Sequence, residues 1–242
     1  MKTTSPDLVL VHGVFAGDRN SLAAAREGRT RAFDEHAAAL GVNAYEWVDG
    51  RRKGLANTLL RLARGTARPV DAVEIIALDE DVALASLATD EGRDAWRQTA
   101  GCKPYGLDET RSFVLAGAPR QLLEGPRDGQ RVLWLGNGLN QLSRDEFVAH
   151  YTTRHGPLVA SHARVIGLRN YRQVPGERDE LCDSLRALGM GQALPPAVFA
   201  ELVMGMPAIS LAGLAARRNA NREIAADEKR HIDFGRSMLV LA

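Results

Sequence analysis

Apolar positions along this chain keep two rhythms. Short runs rich in Val, Leu, Ile and aromatic residues recur at about Asp7–Phe15, Gly41–Val48, Ala72–Leu78, Arg111–Ala116, Val132–Asn137, Leu168–Val174, Val198–Met204 and Arg236–Leu241, and they predict strands. Between them, Ala- and Leu-rich stretches from about Ser21 to Leu40, Val82 to Gln98 and Ile209 to Asp227 predict helices. The most legible helix opens after Leu142. Ser143 is an N-cap, Glu146 completes a capping box, and Leu142 with Phe147 forms a hydrophobic staple. Asp145 and Glu146 suit the positive end of the helix dipole. Phe147, Tyr151, His155, Leu158, His162 and Val165 then step by three or four residues, so two histidines share the apolar, inward stripe. Pro157 predicts a kink or break after His155, because it removes a donor and pushes Gly156 away from helical angles.

The pattern also repeats. Gly41, Tyr45, Val48 and Gly50 recur as Gly167, Tyr171, Val174 and Gly176, a shift of 167 − 41 = 126, which also places His36 on His162. Leu55, Leu59 and Leu62 fall on Leu181, Leu185 and Leu188, predicting a short leucine-lined helix after the second strand of each half. Ser86-Leu87-Ala88 matches Ser210-Leu211-Ala212, and Asp108, Arg111 and Ser112 match Asp233, Arg236 and Ser237. Each half therefore predicts a βαββαβ module, residues 1–125 and 131–242, joined by the polar, Gly- and Pro-containing stretch 124–130. Two such modules bury more apolar area by packing their open sheet faces together.

The run from Ser143 through His155, Gly156, Pro157 and Leu158 to Val159, followed by the strand centred on Tyr171, resembles the EthD family. That family shows an aromatic residue near a helix start, His-x-Pro in mid-helix and a strand tyrosine; here these are Phe147, His155, Pro157 and Tyr171. The resemblance implies an α+β fold, with two ferredoxin-like βαββαβ modules packed as a pseudo-twofold α+β barrel within one chain. It also implies a ligand cleft between helix and sheet.

Composition narrows the function classes. The chain has 242 residues, 31 basic and 30 acidic, so no net field recruits nucleic acid or anionic lipid. The basic cluster Arg51, Arg52, Lys53, Arg61, Arg64 and Arg68 reads as a solvated face. Cys102 and Cys182 form neither a disulfide framework nor a zinc motif, which fits a reducing cytoplasm. The N-terminal apolar run is too short for a membrane span and lacks a signal-peptide layout. Leu8–Gly13 suggests an α/β-hydrolase loop, but no G-x-S-x-G follows; Gly136-Asn137-Gly138 is only a fragment of a dinucleotide fingerprint.

Candidate chemistry centres on His155, whose imidazole can act as a general acid or base near neutral pH. His162 and Tyr171 are further catalytic candidates, although their repeat partners His36 and Tyr45 favour a structural reading. Trp134, Phe147, Tyr151 and Met204 are expected to line an apolar ligand site, and Glu201 is placed there as a partner that could fix a histidine tautomer. At position 29 the first half carries an arginine in place of His155, so it is expected to be a structural partner only. No metal is expected, since H-x-x-x-H and H-E-x-x-H are absent, and no cofactor is expected, haem being the alternative. The resulting expectation is a cofactor-independent enzyme of cyclase, dehydratase, decarboxylase or oxygenase type, acting on an apolar aromatic or polyketide-like carbonyl compound. The alternative is a non-catalytic binder of small hydrophobic molecules. The expected partners are that small molecule and a second copy of the chain, with neither nucleic acid nor membrane.

Overall fold

The computed structural model describes residues 8–50, 70–205 and 211–241. Leu8–Val14 (β1) is buried at every position, as a strand covered on both faces must be. Arg19–Leu40 (α1) starts at Asp18, whose carboxylate accepts the Ser21 N–H at 2.8 Å, and stops at Gly41, where φ of 70° suits glycine. Val42–Asp49 (β2) and Ala72–Leu78 (β3) follow. The helix expected from Val82 to Gln98 is two helices, Glu80–Leu87 (α2) and Asp90–Ala100 (α3), because Thr89 caps the second. Phe113–Gly117 (β4) completes an antiparallel sheet of order β2-β3-β1-β4, the ferredoxin-like arrangement.

A second antiparallel sheet is built from Arg120–Leu123 (β5), Gln130–Gly136 (β6), Leu168–Pro175 (β7), Val198–Met204 (β8) and Met238–Leu241 (β9), in the order β5-β7-β8-β6-β9. Without the edge strand β5, which the sequence pattern did not suggest, the order is that of the first sheet. Arg144–His150 (α4), Gly156–Ser161 (α5), Ala163–Ile166 (α6) and Leu211–His231 (α8) accompany this sheet. The fold is thus α+β with two antiparallel sheets of one topology.

The registers of the two sheets correspond strand by strand. His12 faces Glu74 on β3 and Val114 on β4; Trp134 faces Ala200 and Leu239 in the same positions. Tyr45 faces Ile76, and Tyr171 faces Leu202. The shift is 134 − 12 = 122 for the first strand, 171 − 45 = 126 for the second, 200 − 74 = 126 for the third and 239 − 114 = 125 for the fourth. The corner before the last strand agrees as well. Ser112 Oγ accepts the Phe15 N–H and donates to the Asp108 carbonyl; Ser237 Oγ accepts the Asn137 N–H and donates to the Asp233 carbonyl.

The compact units do not follow the division at 125 and 131. The first holds the N-terminal segment, Val70–Pro119 and Gly176–Pro195; the second holds Arg120–Pro175 and the C-terminal segment from Pro196. Asp179–Ala187 (α7), with Leu181, Cys182 and Leu185 buried, therefore packs with Leu8, Leu10, Phe33 and Trp96 of the first unit. The Glu177 and Arg178 N–H groups donate to the Ala116 carbonyl, and Arg178 pairs with Glu80 at 2.6 Å. The counterpart leucines Leu55, Leu59 and Leu62, the basic cluster at 51–68, Asp7 and Ser210 lie outside the described residues.

Candidate functional site

The helix after Ser143 forms as its sequence dictates. Ser143 Oγ accepts the Glu146 N–H, and Glu146 Oε2 accepts the Ser143 N–H at 2.8 Å, closing the capping box. Phe147 and Tyr151 are buried and pack ring to ring at 5.6 Å. The expected break at Pro157 does not occur. Tyr151–His155 instead forms a π-helical turn, and Gly156, still at helical angles, donates its N–H to the Tyr151 carbonyl. A wider turn absorbs the donor that Pro157 lacks by adding one residue to the helix. A Cβ at Gly156 would sit 2.6 Å from both Gln173 Nε2 and Leu122 Cδ1, so both side chains would have to shift.

That extra residue shifts the inward stripe by one. After His155 the buried positions are Val159, Ala163 and Ile166; the expected Leu158, His162 and Val165 are only half-buried. His162 is turned outward, with Nε2 3.0 Å from Glu223 Oε2 on α8, away from His155's partners. The same turn brings His150 and His155 together. Five residues apart, they would point about 140° from one another on an α-helix.

Both meet Asp227 on α8. His155 Nδ1 lies 2.9 Å from Asp227 Oδ2, and His150 Nε2 lies 3.1 Å from Oδ1. One turn later, His231 donates from Nδ1 to the Asp227 main-chain carbonyl at 2.8 Å. Three imidazoles thus surround one carboxylate, the rings of His150 and His155 standing 4.3 and 5.0 Å from that of His231. Burial opposes the charge on Asp227, but the hydrogen bonds to His155 and His150 outweigh it and hold the carboxyl below the usual carboxylate range. Burial, reinforced by the neighbouring His155 and His150, pushes His231 down to about 4, so it is neutral near pH 7. With Asp227 ionised, the His155 proton sits on Nδ1 and the basic lone pair on Nε2, the orientation a carboxylate imposes on a catalytic histidine.

The other expected residues divide into two groups. Tyr171 is buried beside this cluster; its oxygen accepts from Gln173 Nε2 at 2.6 Å and from the Tyr151 hydroxyl, while burial pushes its pKa up to about 12. Phe147, Tyr151, Trp134 and Met204 all belong to the apolar cluster on the helix-covered face of the second sheet. Glu201 does not join them. It projects from the opposite face of β8 and is paired with Arg131 and Arg172 at 2.6 and 2.7 Å, so it orients no histidine. Asp227, His150 and His231 were missed by reading the sequence.

In the first unit the corresponding layer is also polar and buried, but its chemistry differs. Arg29, 126 residues before His155, pairs with Glu74 and donates to the Ala100 and Gly101 carbonyls. Glu74 also meets His12 Nδ1 at 2.6 Å and the Tyr45 hydroxyl at 2.8 Å.

A ferredoxin-like antiparallel sheet whose covering helices bury a His–Asp cluster is the class that the second unit defines. Residues 139–235 match the EthD domain. No curated protein matches the chain. Among solved structures, the chain is similar to a candidate monooxygenase from Lactobacillus acidophilus (8% identity, 97% of this chain and 91% of that one, TM-score 0.47). It is also similar to one from Fusobacterium nucleatum (9%, 97% and 90%, 0.46) and to a chlorite dismutase variant from Candidatus Nitrospira defluvii (10%, 98% and 92%, 0.41). The expectation of a cofactor-free site is corrected here, because the chlorite dismutases are haem-binding proteins. The residues around His155 do not fit a haem, because the imidazole is buried and the rings of Tyr151 and His231 pack against it at 4.9 and 5.0 Å. Among the described residues no helix is long and apolar enough to cross a membrane.

Proposed function

We propose that this chain is an enzyme acting on a small, apolar carbonyl compound of aromatic or polyketide-like type, with His155 as the proton-transfer group. The observation that carries this reading is the half-buried 2.9 Å contact between His155 Nδ1 and Asp227 Oδ2, set beside the aromatic wall of Phe147 and Tyr151. A histidine held in one tautomer by a carboxylate can take a proton from carbon or oxygen and return it, the step shared by cyclisation, dehydration and decarboxylation. The Tyr151–Tyr171 hydroxyl pair is a helper that can orient a carbonyl oxygen.

The test is turnover of a panel of aromatic and polyketide-like ketones by the purified chain. His155→Ala is expected to lower kcat at least about a hundredfold, and Asp227→Asn to lower it with little change in KM. Full activity in His155→Ala would refute the assignment. Ligand binding with no turnover in any variant would point instead to a hydrophobic-molecule binder.

We further propose that residues 1–125 and 131–242 are copies of one module, of which only the second keeps a proton-exchanging site. The matching registers and serine corners support common descent; the replacement of His155 by Arg29 supports the asymmetry. Calorimetric titration is expected to give one ligand site per chain.

A further inference from the structure

We infer that His150, Asp227 and His231 form a site for a divalent first-row transition cation, with His155 hydrogen-bonded to the carboxylate ligand from outside. This builds on the reading of the cluster as the functional site, but its test needs no substrate. One nitrogen from each histidine and one carboxylate oxygen lie within 4.8 Å of one another. His150 Nε2 and Asp227 Oδ1 are 3.1 Å apart, close to the spacing of two adjacent donors that each stand about 2.1 Å from a shared cation. Two imidazoles and one carboxylate suit Zn²⁺, Fe²⁺ or Co²⁺ rather than the all-oxygen shells of Ca²⁺ or Mg²⁺, and three protein ligands leave positions open for water or substrate.

The surroundings of the three ligands are those a metal site needs. His231 donates Nδ1–H to a main-chain carbonyl, which leaves its lone pair on Nε2. His155 occupies the second oxygen of Asp227, leaving Oδ1 to the cation. Such outer contacts orient ligating side chains. The second sign is an unmet group: His231 Nε2 is buried, in a residue 1% exposed, and meets no hydrogen-bond partner among the described residues. A buried polar atom without a partner is costly, and a cation would supply one. The side chains of His150 and Asp227 are 23% and 17% exposed, which gives an ion its way in.

The experiment adds Co²⁺, and separately Zn²⁺, to the full chain stripped with a chelator. One Co²⁺ per chain with visible d–d absorption, competed away by one Zn²⁺, is the expected result. His150→Ala, at a half-exposed position, should weaken binding at least tenfold without unfolding the chain, and Asp227→Asn should abolish it. His162→Ala, which alters a neighbouring histidine outside the cluster, should bind as the wild type does. His155→Ala should still bind one metal even where it has lost turnover, which separates this inference from the acid–base reading. No stoichiometric binding, binding that survives His150→Ala unchanged, or equal weakening by His162→Ala would overturn it.

Discussion

Arg29 offers the sharpest test of the idea that the first unit is structural. Its side chain is fully buried, as are Glu74 and His12, and its guanidinium pairs with the Glu74 carboxylate. Burial alone would push the Glu74 carboxyl up; Arg29 first, then His12 and Tyr45, hold it below the usual range. His12 is lowered by its burial, with the Arg29 charge adding to the effect against the pull of Glu74. Replacing Arg29 by Met keeps much of the volume and leaves a carboxylate buried without its main partner, a loss of about 3–5 kcal/mol. At about 2–4 °C per kcal/mol for a chain of this size, Tm should fall by roughly 6–20 °C.

The pH dependence carries the mechanism. In the wild type, the stabilisation from Glu74 is present above its unfolded pKa and lost as pH falls through its lowered folded value. In Arg29→Met burial prevails, so the Glu74 pKa rises and the penalty grows with pH above the unfolded value. Without the arginine, burial still lowers His12 but the repulsion from Arg29 is gone, so His12 accepts a proton more readily on acidification and compensates the carboxylate. Both effects make the deficit of the variant smaller at pH 5 than at pH 8, by about 1–2 kcal/mol. Arg29→Met/Glu74→Gln removes both charges and should recover to within about 2 kcal/mol of wild type. Urea unfolding at the two pH values reads all of this. A single-variant loss under about 1 kcal/mol, a deficit that widens on acidification, or a double variant no better than the single would refute the reasoning.

Two further outcomes concern the second unit. His231, lowered to about 4 by burial and by the adjacent histidines, binds its proton more weakly folded than unfolded, so stability is complete above about pH 6.5 and falls toward pH 4. The loss is at most about 3 kcal/mol, and His231→Phe, followed by urea unfolding with chelator present, should flatten that acid limb; an unchanged limb would exclude His231 as its source. Gly156→Ala gains about 0.5–1 kcal/mol of helix propensity but forces a Cβ to within 2.6 Å of Gln173 and Leu122, an overpacking cost of about 1–3 kcal/mol. Net destabilisation by thermal melting is expected, and a raised Tm would show that the π-helical turn yields freely.

Most elements, and the correspondence of Tyr45 with Tyr171, were legible in the sequence because strands alternate, helices carry caps, and Gly41 and Gly167 stop the helices before β2 and β7; the edge strand β5 left no such mark. The site was half legible. His155 stood on an apolar stripe and meets Asp227 on α8, whereas His162 was placed beside it by assuming 3.6 residues per turn throughout. The π-helical turn broke that assumption, rotating His162 out and His150 in. The missed residues did leave a signal on α8: Ala220, Ile224, Asp227 and His231 step by three or four, so an acid and a histidine continue an apolar stripe. A search for histidine pairs alone passes over a D-x-x-x-H spacing. Glu201 misled for a different reason. Strand alternation gives its face but not its partners, and Arg131 and Arg172 lie across the strands from it, out of reach of any local motif.

The contrast between the two units shows how one place in a fold can serve opposite ends. Both layers must satisfy buried polar groups beneath a helix, and both do so with a carboxylate and a histidine. In the first, a guanidinium that stays charged near neutral pH is paired with Glu74 and donates to two carbonyls, so proton exchange would break a network that burial makes costly to disturb. In the second, His150 and His155 share the Asp227 carboxylate, His231 bonds the Asp227 main-chain carbonyl, and His150 and Asp227 still touch solvent. The solvent-touching edge of the second layer gives a proton a route that the fully buried first layer lacks. Chemistry is therefore expected where the helix was widened by one residue, and rigidity where it was not.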